Sequence, residues 1–146
     1  MRQAIVRGPR GGRWRVEVPE TRVERARGLL GRTRVKDGAG MLFERARSIH
    51  TIGMRFAILA AFLDQHGRVL RVRPLAPRRV VLPRLRVRAV LEVAPSADVR
   101  EGDLLVVEPV GRGPPPVGDP GRGRAAGRRY TQAAALNGSN VPAPIV

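Results

Sequence analysis

The sequence predicts a mainly β domain over residues 1–110, a small sandwich or partly open barrel with one N-terminal α-helix across one end, followed by a disordered tail over 111–146. Three observations predict it. Short apolar runs, several alternating with polar positions, recur along the first part of the chain. A single capping box marks one helix. From Gly111 onward the apolar periodicity stops.

The elements follow in order. Ala4-Ile5-Val6 is a short apolar patch ahead of the turn-like Gly8-Pro9-Arg10-Gly11-Gly12. Arg13 to Val18 alternates cleanly, with Trp14, Val16 and Val18 on one face and Arg13, Arg15 and Glu17 on the other, as a half-buried strand requires. Thr21-Arg22-Val23-Glu24 has the form of a capping box, in which the Thr hydroxyl and the Glu carboxylate each accept a backbone N–H. It opens a helix of about two to three turns that Gly31 stops.

Asp37-Gly38 is a turn signal and Gly40 to Phe43 a short apolar strand. The stretch from Ser48 to Asp64 is the centre of the chain: Ser48 to Met54 reads as one extended segment, and Phe56 to Leu63 as a strand buried on both faces. Asp64 to Gly67 makes a turn, and Arg68 to Arg73 returns as the hairpin partner until Pro74 and Pro77 end it. Val80-Val81-Leu82 suits a sheet edge, because Pro83 has no N–H to donate. Arg84 to Val93 reads as a long strand with Leu85, Val87, Ala89 and Leu91 on one face and Arg84, Arg86, Arg88 and Val90 on the other. Leu104 to Val107 is the last of about six to eight strands. The Gly, Pro, Arg and Ala of 111–146 bury no core, hence the disordered tail.

Composition bounds the function. The chain of 146 residues is one domain in size. It has no cysteine, which excludes disulfides and thiolate metal sites and permits a reducing compartment. The N-terminus lacks the apolar region of a secretory signal, and the longest apolar run, Phe56 to Leu63, falls far short of the ~20 residues that span a bilayer. A soluble cytoplasmic protein with no membrane partner is the expectation. The net charge of +16 suits an anionic partner such as nucleic acid. Yet Lys36 is the only lysine among 28 basic residues, the pattern of a GC-rich genome, so codon bias explains the charge equally well.

Candidate chemistry centres on four residues. His50 can serve as acid, base or ligand, against the commoner role of a structural histidine at a sheet edge. Glu92 interrupts an apolar strand, where it either pairs with an arginine such as Arg55 or lines a cleft. A ligand cleft of His50, Thr51, Arg55 and Glu92 is the expectation. On a strand, Arg84, Arg86 and Arg88 stand about 6–7 Å apart along one face, near the phosphate spacing of a single strand, and Arg71 and Arg73 extend that patch. Base-stacking aromatics are nearly absent. Ser48 has no nucleophile elbow, Lys36 no phosphate-binding loop, and no HExxH or EF-hand loop exists, so no catalytic residue, metal or cofactor is assigned. The leading role is a non-catalytic binding or accessory module for a small molecule or protein of unknown identity. The alternatives are an electrostatic, non-specific nucleic-acid binder using Arg84, Arg86, Arg88 and the tail, and an enzyme using His50 and Glu92. The sequence does not fix the oligomeric state.

Five motifs in order resemble those of the domain of unknown function 192 family. They are Thr21-x-x-Glu24-Arg25-x-x-Gly28-Leu29-Leu30-Gly31-Arg32, Gly40-Met41-Leu42-Phe43, His50-Thr51-x-x-Met54-Arg55-Phe56, Phe62-Leu63-Asp64-x-x-Gly67-x-Val69, and Val90-Leu91-Glu92-Val93 with Gly102-Asp103. The resemblance implies a compact β-rich fold with one helix, and no established reaction, cofactor or catalytic residue. The chain departs from the family pattern at two places. Ala57-Ile58-Leu59 stands where the family has Pro, an apolar residue and Asp. Ala94-Pro95-Ser96 stands where it has a Gly-containing turn.

Overall fold

The computed structural model describes residues 1–110. The tail expected to be disordered lies outside the described residues. Among the described residues nine strands form, β1 (Arg2–Arg7), β2 (Arg13–Val18), β3 (Ala39–Glu44), β4 (Ile49–His50), β5 (Ile58–Leu63), β6 (Val69–Leu75), β7 (Val80–Val81), β8 (Ala89–Val93) and β9 (Val106–Pro109), with one helix, α1 (Arg22–Arg27). Seven strands make one sheet in the order β6-β5-β8-β3-β2-β1-β9, and β4 pairs with β7 as a separate ribbon. All pairings are antiparallel except β2–β3, whose parallel crossover carries α1.

β5 and β8 are buried at every position, since each has a strand on both sides and a core on both faces. Alternation sorts their side chains. Leu59, Ala61, Leu63, Ala89, Leu91 and Val93 join Trp14 and Val16 in one cluster. Ile58, Ala60, Phe62 and Val90 join Met41, Leu29 and Met54 in the other.

The large sheet is not closed into a barrel. Among the described residues no second large sheet covers the Met41 face to make a sandwich. The β4–β7 ribbon and the segment after α1 do so, through Ile49, Val81, Leu29 and Leu30. The large sheet is not closed, and β6 and β9 are its edges. The edges approach only where the chain leading to β9 meets the start of β6: Val69 N–H donates to Asp103 O (2.8 Å) and Leu105 N–H to Gly67 O (2.9 Å). Gly67 permits this approach, with φ of 86° and a backbone so close that a Cβ would lie 2.5 Å from Leu105 O.

The structure also corrects local expectations. The helix has only six residues, none of them buried, so it is not the packed element expected across one end. Its capping box forms as expected, but Gly28 ends it with φ of 45°, one turn before Gly31. Ser48 to Met54 is not one extended segment, because β4 stops at His50 and the chain turns at Ile52-Gly53. Arg84 to Arg88 is not strand, and β8 begins at Ala89. Pro74 does not end β6, since that edge position requires no donated hydrogen bond. Ala4-Ile5-Val6 belongs to a full strand, β1, inserted between β2 and β9. Among the described residues no helix is long and apolar enough to cross a membrane.

Candidate functional site

Glu92 lies on the third-from-edge strand β8, on the face it shares with Val90. Its cross-strand neighbours are Met41 on β3 and Ala60 on β5, both fully buried and apolar. Glu92 is 4 % exposed, and among the described residues no ion pair reaches it. Loss of water pushes its carboxyl pKa up to about 8. At neutral pH the carboxyl is therefore mostly protonated, a hydrogen-bond donor as well as an acceptor.

Above Glu92 is a cleft of about 130 Å³. Its walls are apolar, from Leu29, Leu30, Phe43, Ile49, Met54 and Val90. Its polar positions are Ser48 and His50 from the approach to β4 and β4 itself, and Arg25 and Arg27 from the helix. The early stop at Gly28 turns the chain so that Leu29 and Leu30 become the wall. His50 is exposed and opposes Val80 across the ribbon.

The structure thus brings together two of the four expected cleft residues, His50 and Glu92, and leaves two outside. Thr51 is fully buried, and its hydroxyl donates to Ala76 O (2.7 Å) and accepts from Arg79 N–H (2.9 Å). Its backbone bonds Arg78 and Arg79 as well, so Thr51 fastens the loop before β7. Arg55 is exposed and does not line the cleft; of the two alternatives for Glu92, lining a cleft is the one that forms, and no ion pair joins it to Arg55. Arg25, Arg27, Ser48 and Phe43 also line the site. For Arg25 and Arg27 the signal is Gly28, whose bend the periodicity of a longer helix conceals.

The phosphate-contact row of Arg84, Arg86 and Arg88 does not form. These residues lie in a turn, where Arg88 donates to Leu85 O and Val87 O and so holds its own loop. Arg71 and Arg73 are on the edge strand β6. Leu59, at the family's Asp position, packs in the cluster on the opposite face of the sheet from Glu92, so that departure does not enter the cleft. Ser96, at the other departure, hydrogen-bonds Asp37. Among the described residues no group of three or more His, Asp and Glu gathers to hold a metal.

Two solved structures share the fold. A protein of unknown function from Novosphingobium aromaticivorans DSM 12444 superposes with a TM-score of 0.61 at 24% identity, over 70% of this chain and 82% of its own. A protein of Sinorhizobium meliloti 1021, provisionally described as a transcription regulator, gives 0.61 at 21% identity, over 73% of this chain and 92% of its own. At those identities the likeness bears on the fold alone. No curated protein matches the chain. The family model for domain of unknown function 192, described as an uncharacterized ACR, matches residues 5–105, and the chain belongs to that family.

Proposed function

We propose that the protein is a non-catalytic binding module whose site is the cleft over Glu92. The observation that supports this is a buried carboxyl, without an ion pair among the described residues, beneath an apolar-walled cleft with cationic side chains at its rim. A ligand that fits has a small apolar body and a hydrogen-bonding group for the neutral Glu92 carboxyl. An anionic group on it would meet Arg25 or Arg27.

The test is native mass spectrometry of the purified full chain for a co-purifying small molecule, followed by a thermal-shift screen of wild type and variants. A ligand at 100 times its Kd adds about 2.7 kcal/mol of stability. Glu92→Gln keeps a neutral donor and acceptor and should retain such a ligand, whereas Glu92→Leu should lose it. Retention by Glu92→Leu sinks the reading.

A second reading, an enzyme, draws on one observation: Glu92 has a pKa of about 8 and shares the cleft with His50, an arrangement suited to proton transfer. Under that reading Glu92→Gln binds but does not turn over the bound molecule.

A further inference from the structure

The charges of this chain are unevenly placed. From Gln65 to Leu91 the sequence carries eight arginines and no acidic residue, and from Arg45 to Leu63 three arginines and none. All the ion pairs among the described residues lie elsewhere, on the cations of Met1, Arg2, Arg7, Arg10, Arg32 and Arg100. Codon bias supplies arginines, but it does not by itself keep acidic residues out of these two stretches.

Four of the eight large exposed apolar residues among the described ones lie in the same region. Leu85 is 84% exposed, Leu82 75%, Val80 60% and Ile52 54%. Ile49 and Val81 pack inward from the ribbon, so alternation puts Val80 and Leu82 on its outer side. Ile52 follows Thr51, which is bonded to the segment before β7, and Leu85 stands at the turn that Arg88 holds. Arg47, Arg55, Arg78, Arg79, Arg84 and Arg86 are exposed in the same segments. Arg78 keeps a left-handed φ of 62°, uncommon away from glycine, while its N–H donates to Thr51 O at 3.0 Å.

We propose that the outer side of the β4–β7 ribbon and the turn at Leu85 form a docking surface for an anionic lipid bilayer, with Leu82 and Leu85 entering the headgroup boundary and the arginines against lipid phosphates. Both halves of the surface are used by such a partner. A nucleic acid uses only the arginines: it gains nothing from exposed leucines, and this region offers no exposed Phe, Tyr or Trp for stacking. This is peripheral docking, compatible with the absence of a spanning helix among the described residues, and it revises the expectation of no membrane partner. It stands independently of the cleft.

The test is flotation of the full chain with vesicles of phosphatidylcholine alone or mixed with phosphatidylglycerol, beside a titration with an oligonucleotide. The expected result is binding to the anionic vesicles only, weakened by about tenfold or more in Leu82→Ser/Leu85→Ser and in Arg79→Gln/Arg84→Gln/Arg86→Gln. Oligonucleotide affinity should not respond to the leucine pair. The substituted side chains are exposed, and circular dichroism of each variant confirms the fold. Vesicle binding that neither variant changes, as the 111–146 arginines alone would give, overturns the proposal. So does an absence of binding to anionic vesicles, or binding that the leucine pair leaves intact.

Discussion

Glu92 and Met41 stand directly opposite each other across the β3–β8 pair, a carboxyl against a fully buried thioether. On its other side Glu92 meets Ala60. Neither neighbour offers a charge or a hydrogen bond, which is why burial alone sets the proton affinity of this group.

Stability should therefore fall with rising pH through neutrality. A carboxyl whose pKa is raised from 4.5 to about 8 on folding keeps its proton in the folded state where the unfolded chain has lost it. Its contribution is fully present below pH 4.5 and is lost as pH rises toward about 8. Glu92→Gln removes the titration. In urea unfolding, the variant should exceed wild type by a few kcal/mol at pH 8 and converge with it near pH 5. A constant difference across that range would contradict the raised pKa.

Thr51 should prove a fold residue. Thr51→Val keeps the shape but orphans Ala76 O and Arg79 N–H. The expected cost is about 1–3 kcal/mol in denaturant unfolding, with Thr51→Ser recovering most of it. Affinity for any cleft ligand, measured on folded protein, should not change.

His50 should behave in the opposite way. The residue is exposed and lines the cleft. His50→Ala should leave stability within about 0.5 kcal/mol of wild type while weakening a cleft ligand. A large loss of stability would instead make it a structural histidine.

Gly67 should be intolerant of a side chain. A Cβ there would lie 2.5 Å from Leu105 O in a left-handed residue. Gly67→Ala should cost about 2 kcal/mol or more and speed hydrogen exchange at the Val69 and Leu105 amides, which make the bonds between the β6 start and the chain before β9. Unchanged exchange would mean that the contact does not depend on this glycine.

Strands were legible where one period governed them. Trp14, Val16 and Val18 alternate with charge and form β2, and the apolar run through Leu63 is β5. Arg84 to Arg88 alternates just as well, yet forms a turn. Alternation states which side chains would share a face; it does not state whether a neighbouring strand is present to pair with. The helix is shorter than its period implies for a related reason. Val23, Ala26 and Leu30 share a helical period, but Gly28 stops the helix in a left-handed turn, leaving Val23 77% exposed.

By itself the sequence determined a β-dominated domain, its capping box, the Asp64–Gly67 hairpin, the family, and the presence of an odd carboxyl at Glu92, because each depends on neighbours along the chain or on a linear motif. Only the tertiary structure decided that the seven-stranded sheet is not closed, that Glu92 shares a cleft with His50 but not with Thr51 or Arg55, and which arginines have acidic partners. Those outcomes depend on contacts between residues far apart in the chain, where burial and charge pairing are set by strand order rather than by spacing.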